Sequence, residues 1–410
     1  MLKNLPRRMT SLVLVIALAA GISGCWDKVE IDDRAFVLAL AIDKFEYSEE
    51  EKARVEEQGA EEEQQGMTPK EYPADSRRNR IVVSIVYPNV GLLGGKGGLI
   101  PEDMKFPMST VGPDIYECLS QLAISMSKDI FLGHLKAVLV GEGLAADRQL
   151  FMEVLDDMDR NSEISRNVYF IVVEGKAQQA LFIEPLVEPI IGTYIEKIFE
   201  TSARSSRFHQ KKLGDVLRSL DIHGDALAPR LVMRERELAV AGSCVIKDYR
   251  HAGWLGEIET RAVQWIDNMV RGGIITVYVD DIPVPYEITE AGREIKIQHD
   301  AGGNLRMHIL LKGEGNIVGY KFAEKQELMD DKFIKSIEKA IEEEVVAECT
   351  GVMDKLQHQF GVDIWGFSEY LRKYHPEIYD EVGKDWEEIF PEVKMLFSSD
   401  IKIRRIGITK

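Results

Sequence analysis

From Ala35 to Ile42 every residue is apolar, and the run stops at Asp43-Lys44. A strand with one wet face alternates in polarity, so an unbroken run of this kind reads as a strand buried on both faces. Arg80 to Tyr87 resumes as a strand, with Ile81, Val83, Ile85 and Tyr87 on one face, Val82, Ser84 and Val86 on the other, and Pro88 at its end. Pro113 to Lys128 carries Ile115, Leu119, Leu122 and Met126 at helical spacing. Lys136 to Val140 then reads as a strand closed by Gly141, Leu144 to Asp159 as a helix, and Asn167 to Val173 as a strand. This alternation predicts a mixed α/β domain over residues 25–200. Residues 201–214, rich in Ser, Arg and Lys, read as a linker.

The second half, residues 215–410, repeats neither pattern nor period. Glu237 to Lys247, Ile274 to Val279, Glu294 to Gln298 and Leu305 to Lys312 alternate as strands, with Gly and Asp between them, which predicts an antiparallel sheet. Ile334, Ile337, Ile341, Val345, Val352, Leu356 and Phe360 keep one apolar stripe, while Glu342, Glu343, Glu344 and Lys355 lie off it. A helix over residues 329–359 would be roughly 47 Å long, and we expect it to pack across the sheet. The chain ends in Ile401, Ile403, Ile406 and Ile408, whose phase shift at Arg404-Arg405 predicts a bulged last strand. The expected fold class is α+β, with mixed sheets, packed helices and several domains. The C-terminal part is open to division at residues 215–285 and 286–410.

Ahead of the first strand, Lys3, Arg7 and Arg8 precede an apolar run from Ser11 to Ala20, and Ile22-Ser23-Gly24-Cys25 follows. The run is short for a bilayer span, which takes about 20 residues. Small residues before a cysteine make the pattern of a bacterial lipoprotein leader, with residues 1–24 removed and Cys25 carrying diacylglycerol. Two acyl chains anchor a protein stably where one is marginal. An ordinary secretory leader with a chance cysteine and an uncleaved membrane helix are the alternative readings.

Behind the leader about 385 residues remain, more than a single core usually organises. The formal charge of −18 argues against nucleic acid or an anionic lipid surface as a partner. Cys118, Cys244 and Cys349 are more than 100 residues apart, which fits buried thiols and neither a disulfide framework nor a zinc site. Between Glu46 and Glu71 stand ten Glu against Lys52, Arg54 and Lys70, so residues 46–80 read as a disordered acidic insertion. Gly91-Leu92-Leu93-Gly94-Gly95-Lys96-Gly97-Gly98 lacks the spacing and the Ser or Thr of a phosphate-binding loop.

Reactive groups do not converge. The eight His are scattered, and neither His-Glu-x-x-His nor Gly-x-Ser-x-Gly occurs. The sequence points to no catalytic residue, no metal and no cofactor. Gly133-His134-Leu135-Lys136 precedes a strand, as a turn glycine with strand-edge polar residues or as a functional His or Lys. The segment from Gly253 to Ile266 reads as a turn entering a helix, with Val263, Trp265 and Ile266 inward and Arg261 paired with Glu257 one turn earlier. Phe360 to Phe390 holds Trp365, Phe367, Tyr370, Tyr374, Tyr379 and Trp386; aromatics mark interfaces as well as cores. Trp254, Trp365, Phe367 and Tyr370 are the expected partner-binding residues.

These segments, in their order, resemble the Ger(x)C family, the lipoprotein subunits of GerA-type nutrient germinant receptors in endospore-forming bacteria. The resemblance runs through Gly24-Cys25-Trp26-Asp27, Glu30-Ile31, Phe36 to Lys44, Gly133 to Lys136, Gly141-Glu142 and Gly242. It continues through Gly253-Trp254-Leu255, Glu259-Thr260-Arg261, Asp363 to Phe367, Tyr374-His375-Pro376, Trp386, Ile389-Phe390-Pro391 and Ile403 to Gly407. It implies an α/β lipoprotein on the outer face of the inner spore membrane, held by diacylglycerol on Cys25. It further implies a non-catalytic role beside two integral membrane subunits, with a small-molecule germinant bound by the complex. The acidic segment is longer than the family's usual connection. A solute-binding lipoprotein that captures a nutrient itself and a cell-wall hydrolase are the competing classes.

Overall fold

A computed structural model describes residues 33–47, 80–89, 105–185, 188–202, 204–299, 304–319 and 331–406. Cys25 and its leader, residues 48–79 of the acidic stretch and Gly91–Gly98 lie outside the described residues.

The apolar run opens two strands rather than one. β1 (Arg34–Phe36) pairs in parallel with β5 (Asp129–Phe131), and β2 (Ala39–Lys44) enters a sheet of eight. The other members of that sheet are β3 (Ile81–Pro88), β4 (Lys105–Gly112), β6 (Ala137–Gly141), β7 (Tyr169–Val173), β8 (Asp225–Arg234), β9 (Glu237–Lys247) and β10 (Arg250–Leu255). Their order is β10-β9-β8-β7-β6-β2-β3-β4, with β2, β6, β7 and β8 parallel and antiparallel pairs at either side. Every residue of β6 and β7 is buried, as a central parallel strand covered on both faces must be.

The two faces are covered by different helices. Leu40, Ile42, Val138 and Val140 join a core with α1 (Ile115–Ile124), α2 (Glu142–Ala145), α3 (Arg148–Arg160) and α6 (Leu213–His223). Ala39, Ala41, Leu139 and Ile171 face α4 (Ala177–Phe182) and α5 (Ile191–Thr201) instead. Asp43, which ends the apolar run, is buried and accepts the Ala177 and Gln178 N–H groups, both at 2.7 Å. A carboxylate there satisfies the free amides of α4 and meets the positive end of its dipole.

Residues 201–214 do not separate two domains as expected. Ser206, Phe208 and His209 are buried, and the chain returns to the same sheet for β8, β9 and β10. Pro229 and the glycine at 242, whose φ is +87°, flank a register shift between β8 and β9. A side chain at Gly242 would collide with the Leu255 carbonyl.

The second sheet has the order β11-β12-β13-β14, from β11 (Ile274–Val279), β12 (Ile282–His299), β13 (Leu305–Ile317) and β14 (Lys394–Ile406). It is mixed, not antiparallel throughout: β14 runs parallel to β13, because the chain crosses back over one face before reaching it. That crossing is the expected long helix, α8 (Asp331–Asp354), extended by a π-helical turn from Lys355 to Phe360. Ile337, Ile341, Val345, Val352 and Leu356 of the predicted stripe are in the core beneath it. The predicted bulge falls at Arg404, where Gly315 opposes Ile403 and Asn316 opposes Arg405. Glu342 and Glu338 of α8 accept the Ile401 and Ile403 N–H groups at 3.0 and 2.9 Å. An edge strand whose amides are already bound is a poor template for another chain.

Gly315 leaves room for Tyr286, which is fully buried. A Cβ at that position would press on the Tyr286 ring and the Glu287 carbonyl. Gly315→Ala is therefore expected to cost about 2 kcal/mol by overpacking, measured as a shift in urea unfolding midpoint at unchanged slope.

Candidate functional site at the junction of the two sheets

β10 ends at Leu255, and the chain turns at Gly256 into α7 (Glu257–Ile266). Glu259 closes the first turn by accepting the Gly256 N–H at 2.7 Å. Its other oxygen meets Lys355 Nζ at 2.8 Å, and the same ammonium donates to the Trp254 carbonyl at 3.1 Å. Lys355 opens the π-helical turn, so the end of α8 is fastened to both the last strand and the first helical turn that follows it. Thr260, fully buried, lies 3.2 Å from the Ser243 hydroxyl on β9.

Arg261 does not pair with Glu257. It is buried and forks onto Glu348 of α8, with Nε 3.2 Å from Oε2 and Nη2 on Oε1, while Nη1 donates to the Ile274 carbonyl at 3.0 Å. Glu257 is held instead by Arg207 at 2.9 Å. A pair on one helix face is worth a few tenths of a kcal/mol, whereas a buried guanidinium needs acceptors that only tertiary neighbours can supply. Burial pushes the Glu348 carboxyl above its usual range, and the Arg261 bonds pull against that. Val263, Trp265 and Ile266 are buried as expected.

The other expected partner residues are tied to this helix. Trp254 is half-buried, packed on His251 at 4.4 Å with the Arg230 guanidinium 5.1 Å from its ring, and it donates to Glu142 at 3.3 Å. Trp365, also half-buried, donates to the Val263 carbonyl at 3.2 Å. Phe367 is only 1% exposed and stacks toward Phe390 inside the C-terminal core, so it offers no docking surface. It opens α9 (Phe367–Tyr374), whose first turn points inward. Tyr370 is half-buried beside Tyr374, which is 56% exposed. His134 is exposed and meets Phe36 edge-on and Phe131 at a tilt, with ring centroids 5.4 and 5.5 Å apart, and Lys136 pairs with Glu196 at 2.9 Å.

Beside α9 an acidic cleft of about 450 Å³ is lined by His223, Asp225, Asp363, Glu369 and Glu387 among others. Asp363 accepts the Trp386 indole N–H at 2.9 Å and the Ser368 N–H at 3.2 Å. Burial pushes Asp225 up to about 7; Lys247 opposes the rise, and Asp248, Asp363 and Glu387 add to it. Among the described residues, no group of three or more His, Cys, Asp or Glu is placed to hold a metal ion. Among them, too, no helix is long and apolar enough to cross a membrane. Cys118, Cys244 and Cys349 are free and buried.

Sequence reasoning missed Glu348, Lys355, Asp225 and His209. Each has a role set by what lies across the fold, and only the off-stripe position of Lys355 on a long amphipathic helix hinted at one.

Fold and junction together define an α+β protein with two large sheets, in which the motif residues from Gly253 to Arg261 and Trp365 pack around one helix between them. Two family models cover the chain: "Spore germination protein N-terminal domain" matches residues 27–233 and "Spore germination B3/GerAC like, C-terminal" matches residues 241–407. The chain belongs to this spore germination B3/GerAC-like family. It is similar to spore germination protein YndF of Bacillus subtilis (strain 168), 25% identical over 421 residues spanning 100% of both chains. Spore germination protein KC of the same organism is 24% identical over 434 residues, 98% of this chain and 97% of that one. The crystal structure of the GerBC protein superposes with a TM-score of 0.57 at 21% identity, over 79% of this chain and 94% of that chain. It shares the fold.

Two outcomes test the junction. Arg261→Ala leaves Glu348 buried and unpaired, so a loss of about 3–5 kcal/mol is expected in urea unfolding, most of it recovered by Arg261→Met combined with Glu348→Leu. For Asp225, the folded carboxyl keeps its proton to about pH 7 while the unfolded one loses it near its ordinary value. The stability it contributes is therefore complete in acid and lost as pH rises through about 7. Asp225→Asn should flatten the fall in melting temperature between about pH 5 and pH 8 and melt higher than the parent at the alkaline end.

Proposed function

We propose that the chain is a lipid-anchored, non-catalytic subunit of a spore nutrient germinant receptor, acting beside integral membrane subunits. The observation that carries this reading is the use made of the family motifs. Glu259, Thr260, Arg261 and Trp365 are all engaged in fixing α7 between β9 of the first sheet and α8 of the second unit. Residues arranged this way transmit position, and they leave the outer surfaces for contact with other subunits.

The anchor belongs to the same reading. Arg34, where β1 begins, stands nine residues after Cys25. Nine residues reach at most about 30 Å, so diacylglycerol on Cys25 keeps the β1–β5 side of the molecule near the membrane surface. The edge-packed rings of Phe36, Phe131 and His134 would then lie on the side turned toward membrane subunits. Trp254 and, from the aromatic stretch, Trp365 and the Tyr370–Tyr374 pair remain candidates for partner contact.

Cys25→Ala in the native host tests the reading. The membrane-bound fraction is expected to fall by about tenfold or more, with loss of co-purifying membrane subunits and slower nutrient germination. Full membrane retention with normal germination overturns it.

A further inference from the structure

Between residues 204–210, the loop 267–273 that follows α7, and residues 287–291 of β12 lies a cavity of about 990 Å³. This is within the size range of small-molecule sites. Its frame is fastened at several points. Ser206 donates to the Gly272 carbonyl at 2.7 Å, Gln264 to the Phe208 carbonyl at 2.8 Å, Gln210 to the Phe199 carbonyl at 2.6 Å, and the Gly242 N–H to the Arg207 carbonyl at 3.0 Å. Gly272 and Gly273, with φ of +154° and +119°, pass so close that a Cβ on either would lie 2.8 Å from a carbonyl oxygen of Arg204 or Ser205.

One group in this frame is left without a partner. His209 lines the cavity, is 4% exposed, and has neither ring nitrogen hydrogen-bonded. Burial, with Lys211 nearby, pushes its pKa down to about 3, so the ring is neutral and presents one N–H and one lone pair. A buried polar group without a hydrogen bond is destabilising, and a ligand that bonds it removes that cost. Arg204 and Arg271 line the cavity, are exposed and form no ion pair among the described residues, in a chain whose formal charge is −18. Glu287 and Glu290 line the same cavity from β12, likewise with no ion pair among the described residues.

We propose that this cavity binds a small organic carboxylate, its acid group held by Arg204 and Arg271 and a second polar group hydrogen-bonded to His209. A hydroxyl or amine on the ligand satisfies the imidazole, and an amine also meets Glu287. The site goes beyond the anchored-subunit reading and does not depend on Cys25.

Calorimetry on the purified full-length chain in detergent, against succinate, citrate, 4-aminobutyrate and benzoate with succinamide as the uncharged control, tests it. Saturable binding of at least one carboxylate is expected, with succinamide at least about tenfold weaker and with Arg271→Gln and His209→Leu each weakening the bound acid about tenfold or more. Arg271 is exposed, so its variant should keep the parent melting temperature and decides the matter if His209→Leu fails to fold. No saturable heat with any acid up to about 10 mM, or unchanged affinity in Arg271→Gln, overturns the proposal.

Discussion

A single buried guanidinium organises the middle of this molecule. Arg261 reaches Glu348 on α8 with two nitrogens and the carbonyl of Ile274 at the head of β11 with a third, so one side chain sets three elements against one another. Taking both charges out of water is costly, and the cost is recovered only where all of these acceptors are in place. Geometry, more than net energy, is what the pair contributes. A docking of α8 shifted by one turn would leave Arg261 and Glu348 unpaired in the same apolar surroundings.

That constraint matters because the two halves do not have separate cores. Leu227, Val245 and Leu255, on strands of the eight-stranded sheet, belong to the same cluster as Trp265, Tyr286 and the stripe of α8. On the opposite face of those strands, Ala226, Ala228, Cys244 and Ile246 pack in the first core. The second unit thus covers part of the first sheet. The two family models meet at residues 233 and 241, within the β8–β9 hairpin of that continuous sheet. A boundary drawn in sequence there divides no structural unit.

Strongly periodic segments were legible from the chain: the buried β2, β3, β6 and β7, the stripe of α8 and the bulge in β14. What escaped was set by distant partners. β8 was hidden by Pro229, which reads against a central strand; the register shift between β8 and β9 accommodates it. Residues 201–214 are polar in composition, yet several of their polar groups are bonded to elements far along the chain, as with Ser206 on Gly272. The same applies to the junction. The helix from Glu257 and its inward face were readable, but an i, i+4 rule assigned Arg261 to Glu257, because the alternative acceptor is 87 residues away. Phe367 was misplaced for a related reason, since aromatic content alone does not distinguish the inward turn of α9 from its outer one.

The junction helix also has two ends with different neighbours. Its first turn is fastened to β10 and the end of α8 through Glu259 and Lys355. Its last turn carries Gln264, bound to the Phe208 carbonyl, and Ile266, whose carbonyl is capped by Arg293 of β12. The loop it enters, 267–273, is one wall of the cavity around His209. At ten residues the helix is about 15 Å long, which sets the distance between these two fastened ends. The proposed ligand would touch residues 204–210, the loop after the helix and a strand of the second sheet at once. It alters the balance between arrangements of the two halves only insofar as it binds one of them more tightly. The unbonded imidazole is the group through which such a ligand would act, since it lines the cavity where residues 204–210, the loop and the strand meet.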